Sequence, residues 1–391
     1  MRFPGSSSAQ GADVHRVRSC VIVCGLHHSG TSAVTRVINL LGADLAHDLL
    51  PADPGNSRGY WESYAVLAIH NRLLQTVTAS PDHAFDPTPL PVDWLATGVA
   101  REAKRQLSGV IQREFANSRF FVVKDNRIWR LLSLWAGLLQ DLGIAPIVVI
   151  PFRNPLESVA TLAQRARIPL PKALFLYFCT YLETELASRA FPRVFVRYDH
   201  LLQDWHPFAK RLGQISRDKV SPPPKSVAVE IDRFLTTDLY HHRFNREQML
   251  RRPDIPPAIV EMFDRMDEAA ETGDESKLRS SFDRLRENAD ATVHLYNGFL
   301  ISELQYLQQQ LMREISIRES FETSTSWRVT APLRWLKLQV LSKLVSTRRV
   351  SLTSSRPNSQ PPGSVIAPPP SLLQTSTRKI STPRVVIAKS P

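Results

Sequence analysis

The 391-residue chain is long enough for two or three domains; 43% hydrophobic residues suit a globular body, and 29 prolines suggest an extended segment. No run is long and apolar enough to cross a bilayer, and Met1 to Ser8 lack the apolar core of a secretory signal, so a cytoplasmic protein is expected. Most of the net charge of +12 lies beyond Phe321, where Lys and Arg face a single acid, Glu322; this argues against nucleic-acid binding by the body and for a tail drawn to an anionic membrane surface.

In chain order, residues 1–18 read as a loose polar leader. The apolar run Cys20-Val21-Ile22-Val23-Cys24 reads as a strand, and Ser32 to Leu41 has apolar positions at helical spacing. Between them stands Gly25-Leu26-His27-His28-Ser29-Gly30-Thr31. A strand, a Gly-bounded loop and a helix form a phosphate cradle, because loop N–H groups and the helix dipole converge on an anion. The spacing is that of a Walker A loop, but Thr31 stands where the lysine of an ATP- or GTP-binding loop belongs.

Further helices are expected over 60–77, 94–117, 129–142, 156–167 and 173–190. Buried strands are expected over 120–124, 146–151 and 194–198. Strands alternating with helices imply an α/β fold, a three-layer sandwich of P-loop type with helices on both faces of a parallel sheet. Cys20, Cys24 and Cys179 fall in apolar surroundings and read as buried free thiols. Residues 251–320 read as a helical extension, with Leu304, Leu307, Leu311 and Ile315 spaced for a short coiled coil that would pair two chains. Residues 321–349 form a basic amphipathic stretch with Trp327 and Trp335, and the Ser/Pro-rich tail 350–391 cannot support a core.

A second constellation follows the third strand. Arg153 closes that strand, Asn154-Pro155 opens a helix, and Thr161 and Arg165 share one helical face. Two guanidinium groups and a hydroxyl make a second anion site at the carboxyl end of a strand, where open α/β sheets bind ligands. A ligand with phosphates at two separated points is implied.

Here the chain resembles the sulfotransferases that use 3′-phosphoadenosine 5′-phosphosulfate, PAPS. The loop Gly25 to Thr31 followed by Ser32 is similar to their 5′-phosphosulfate loop, Gly-x-x-[Arg/Lys]-Ser-Gly-Thr-[Ser/Thr]. Arg153, Thr161 and Arg165 fall on the basic, hydroxyl and second basic positions of their 3′-phosphate motif. The segment from Tyr198 to Leu202 is similar to one that follows their next strand. Gly59-Tyr60-Trp61-Glu62 and Lys124-Asp125-Asn126-Arg127 resemble motifs of bacterial members. The resemblance spans about Val21 to Arg243 and places the catalytic domain at 19–250.

It implies transfer of a sulfuryl group from PAPS to a hydroxyl, that of a carbohydrate or glycoconjugate. Gly25, His27, His28, Ser29, Gly30, Thr31, Ser32, Arg153, Thr161, Arg165 and Tyr198 would hold the donor. Lys124 and His28 would stabilise charge on the departing phosphate, and Glu62 would act as base. His28 departs from the pattern, standing where the family carries Arg or Lys. No metal is expected, since neither His27-His28 nor His241-His242 has zinc spacing. Plainer readings stay open: Arg153 pairing with Glu157, Glu62 as a first-turn acid, Lys124 in a salt bridge, Tyr198 covering the sheet edge. Two other functions also stay open, a kinase-like nucleotide-dependent transferase and a non-catalytic membrane-associated interaction protein. The segment Ser324 to Arg334 resembles one in bacterial glycosyltransferases of surface polysaccharide synthesis, which leans the acceptor toward saccharides near the inner face of the membrane.

Overall fold

A computed structural model describes residues 18–53, 56–78, 83–216, 220, 222–236 and 243–323, with the backbone alone for 83, 290–308, 310 and 321–323. The sheet order is β2-β1-β3-β4, built from β1 (Ser19–Val23), β2 (Phe120–Lys124), β3 (Ala145–Phe152) and β4 (Arg193–Arg197). Every pairing is parallel; Val21 lies between Val122 and Ile147, and Ile150 opposite Phe195. The architecture is α/β, with helices on both faces of a parallel sheet.

The strands are continuous apolar runs because both faces are covered. Alternation along β1 divides the core. Cys20 and Ile22 face a large layer formed by α2 (Tyr64–Thr78), α3 (Gly98–Glu114), α4 (Ile128–Asp141), α6 (Leu170–Ser188) and α11 (Pro257–Thr272). Val21 and Val23 face α1 (Thr31–Leu40), α8 (His206–Ile215) and α9 (Lys225–Phe234). Burial pushes the Cys24 and Cys179 thiols up to about 12, which keeps them protonated and inert.

Two expected helices differ from the structure. The one expected from 60 begins at Tyr64, because Gly59 and Trp61 take positive φ of 92° and 58° and form a tight turn. The one expected over 94–117 is a short 3-10 turn, Trp94–Ala96, and then α3, whose first turn is capped by Thr97 accepting from the Ala100 N–H. The element after β3, α5 (Pro155–Ala166), is capped by Asn154, which accepts from the Leu156 N–H.

The compact unit that holds the sheet runs to Gly298. Helix α11 belongs to its core: Met262, Phe263 and Met266 are buried, and the Phe263 ring lies 6.0 Å from that of Phe152. The start of α12 (Ser276–Thr323) is buried through Leu278, Phe282 and Leu285. Buried Glu185 and Arg193 pair at 3.0 Å, and Arg193 also holds Glu275 at 2.5 Å, just before that helix. A second unit begins at Phe299; its described part is helical to Thr323, with Leu311 and Ile315 exposed. The leader up to residue 17, His241-His242 and the segment 324–391, with most of the basic stretch and the whole tail, lie outside the described residues.

Candidate active site

The loop after β1 is held by its own small residues. Gly25 packs so closely that a Cβ there would sit 2.7 Å from the Pro151 carbonyl oxygen. Gly30 has φ +91°, and a Cβ would meet the Tyr198 ring at 2.2 Å. The buried Ser29 hydroxyl donates to the Leu26 carbonyl at 2.7 Å and closes the turn. Helix α1 then starts at Thr31 with no side-chain cap and no acid in its first turn. That leaves its N-terminal amides and dipole for an anion.

Replacing Gly30 by Ala is therefore expected to destabilise the protein by about 2–4 kcal/mol, from the left-handed backbone and the ring contact together. Gly42, with φ +106° and nothing within 4 Å of its would-be Cβ, is the control. Gly42→Ala should lose only the backbone part, about 1–2 kcal/mol. Equal losses in thermal unfolding would show that Tyr198 does not pack on the loop.

The two histidines do different work. His27 donates from Nε2 to the Ala84 carbonyl at 3.2 Å, with its ring 4.5 Å from Phe85. Burial lowers its pKa to about 3. His28, at φ 64°, has a pKa lowered to about 4, by burial first and then by Arg165, Lys124 and Arg153. It stands neutral at pH 7 and can offer a hydrogen bond in place of the positive charge expected of that loop position.

Lys124, at the end of β2, is buried and ion-paired with the buried Glu62. Its Nζ also reaches the Ser32 hydroxyl and the Tyr60 carbonyl, each at 3.4 Å. Asn126 joins the two elements: its Oδ1 accepts from the Thr31 hydroxyl at 3.1 Å and its Nδ2 donates to Glu62 at 3.4 Å. Burial raises the Glu62 pKa and outweighs the neighbouring Lys124 charge.

Arg153 closes β3 and ties the two candidate motifs together. It donates from Nε to Glu157 at 3.1 Å, from Nη1 to the His28 carbonyl at 3.2 Å, and lies 5.2 Å from the Tyr198 ring centroid. The pairing with Glu157 and the loop contact coexist. Thr161 donates its hydroxyl back to the Glu157 carbonyl at 2.8 Å, and Arg165 is exposed in the last turn of α5.

These groups line a cleft of about 920 Å³. Among the described residues, Arg58, Lys124, Arg153 and Arg165 border it, and no Asp or Glu does. His27, His28, Gly30, Thr31, Ser32, Thr161 and Tyr198 border it too, whereas Gly25, Ser29 and Glu62 are not among the lining residues. Sequence reasoning missed Asn56, Arg58, Gln164 and Phe234 to Thr236. Arg58 donates to the Phe234 carbonyl and, at 2.5 Å, to the Thr236 hydroxyl. No spacing rule connects residues so far apart. In the sequence, Asn126 stands out only as part of the Lys124-Asp125-Asn126-Arg127 motif. Among the described residues, the metal-ligating side chains that gather are His200, Asp267 and Glu271, and none of them lines the cleft.

No protein-family model matches the chain, and no curated protein matches it. Among solved structures it is similar to the sulfotransferase STF1 from Mycobacterium tuberculosis H37Rv, at 14% identity and a TM-score of 0.33, over 66% of this chain and 77% of that one.

Proposed function

We propose that the protein is a sulfotransferase that moves the sulfuryl group of PAPS to a hydroxyl acceptor. The observation that carries this reading is the cleft itself. Among the described residues, four cationic side chains and an uncapped helix N-terminus meet there with no lining carboxylate. An anion of high charge fits such a site, and a magnesium–triphosphate ligand fits it poorly without the P-loop lysine or a lining acid to hold the metal.

PAPS supplies a sulfuryl group bonded to its 5′-phosphate; transfer joins the acceptor oxygen to sulfur and releases 3′-phosphoadenosine 5′-phosphate. The amides of the loop and first turn of α1, with Lys124 and the neutral His28, would hold the 5′ end and neutralise charge on the departing phosphate oxygen. Arg153 and Arg165 would hold the 3′-phosphate through charge-assisted bonds. Glu62 would take the acceptor proton, and its raised pKa makes it a stronger base than an exposed glutamate.

Calorimetric titration of the full chain with 3′-phosphoadenosine 5′-phosphate, ATP with magnesium, and GTP with magnesium tests the reading. Selective binding of the bisphosphate is expected. Preference for a triphosphate would favour the kinase-like transferase, and binding of none would favour a non-catalytic protein. The acceptor in this proposal is a saccharide hydroxyl, with the basic tail on the inner face of the membrane and the exposed Leu311 and Ile315 in a seam with a second chain. Labelled-sulfate transfer to sugars, liposome sedimentation and analytical ultracentrifugation are the respective tests. No helix among the described residues is long and apolar enough to cross a membrane.

A further inference from the structure

Behind the cleft wall lies a buried polar chain that the proposed chemistry does not yet use. His70 on α2, Asp125 after β2 and Trp135 on α4 are each at most 1% exposed. The Trp135 indole N–H donates to His70 Nε2 at 3.0 Å. An indole can only donate, so Nε2 carries no proton and the single ring proton sits on Nδ1. His70 Nδ1 then donates to Asp125 Oδ2 at 2.6 Å. The other oxygen, Oδ1, accepts from the Arg127 amide at 3.1 Å and from its guanidinium at 2.8 Å. The Asp125 carbonyl accepts from the Ile128 N–H at 3.0 Å, so the whole turn is hydrogen-bonded to one residue.

We propose that Asp125, held by His70 and Trp135, is a positioning residue of this site: it fixes the turn whose Lys124 and Asn126 both bond Glu62, and sets its own carboxyl group between those two residues in the chain. The role in proton transfer rests on the reading of Glu62 as base. A buried carboxylate with three donors has no cheap alternative partner, so the turn has one low-energy shape. Burial by itself would favour the neutral acid, but the His70 hydrogen bond and the Arg127 charge outweigh it and hold Asp125 ionised. Its charge opposes ionisation of Glu62, in the same direction as burial, while Lys124 and Arg127 favour ionisation. Tyr60 is the titratable neighbour on Glu62's own loop, and His27 and His28, across on the phosphate loop, are neutral. Asp125 thus offsets part of what the two cations would take from Glu62's basicity.

The test is infrared titration of the Glu62 carboxyl in the full chain, its protonated band assigned by loss in Glu62→Gln. Asp125→Asn is expected to lower the titration midpoint by about one pH unit. A second pair of variants covers a failure of Asp125→Asn to fold. His70→Leu removes the donor, leaves the buried Asp125 freer to take a proton, and should also lower the midpoint. His70→Asn keeps an N–H toward Asp125 and should restore it. A purely structural role would lower the melting temperature in these variants without moving the midpoint, and that result overturns the proposal. Affinity of the wild type for 3′-phosphoadenosine 5′-phosphate, measured alongside, separates the two readings. Absent affinity sinks the sulfotransferase reading, while the midpoint alone judges Asp125.

Discussion

Glu62→Gln is expected to slow sulfuryl transfer by about 10²- to 10⁴-fold while leaving affinity for 3′-phosphoadenosine 5′-phosphate within about threefold. Glutamine keeps the shape and can still accept from Lys124 through its amide oxygen, but it cannot take a proton from the acceptor. Glu62 is not among the residues lining the cleft, so the bisphosphate has little direct contact to lose. The pH dependence follows from the same burial. A base works in its ionised form, and burial raises the pH at which Glu62 ionises. Activity should therefore fall as pH drops through that raised value, with its acid limb above the ordinary glutamate range. Steady-state rates across pH, with labelled PAPS, check both points. Full turnover in Glu62→Gln would remove Glu62 from the chemistry and leave it as the counter-ion of Lys124.

Arg153→Ala is expected to weaken binding of 3′-phosphoadenosine 5′-phosphate by about 10- to 150-fold, the loss of one or two hydrogen bonds to a charged group. The single variant is confounded, because it takes from Glu157, which is 2% exposed, its ion pair with Arg153 and leaves the Phe244 N–H among its contacts. Removing one partner of a buried ion pair costs up to about 3–5 kcal/mol of stability. The double variant Arg153→Ala with Glu157→Gln removes that cost and should keep the binding loss while recovering much of the melting temperature. Arg165→Ala offers an independent view, since Arg165 is exposed: affinity should fall without a change in stability. Calorimetry with the bisphosphate, beside thermal unfolding, reads all three. Unchanged affinity in the double variant would show that Arg153 only braces the loop through the His28 carbonyl.

Several residues show why part of the site is legible in sequence. The candidate phosphate loop from Gly25 to Thr31 is local: a strand, two glycines and a helix stand within a few residues of one another. The same holds for Arg153, Thr161 and Arg165, which one strand end and one helix face bring together by periodicity alone. Gly59 is a sign of a turn, yet nothing local shows that Trp61 also takes a left-handed backbone and delays α2 to Tyr64. Nor does any spacing announce that Asn126 bridges Thr31 to Glu62, or that Arg58 reaches Phe234.

From the sequence alone came the parallel α/β fold, because buried strands and amphipathic helices write their periods into consecutive residues, and so did the candidate phosphate loop and the excess charge beyond Phe321. Packing of distant segments decided the rest. It buried Glu62 against Lys124, left His28 neutral among three cations, and gathered four cationic side chains around one cleft. Periodicity records which face of an element is buried. Charge state depends on what other elements place around it, and only the folded chain brings those groups within reach of one another.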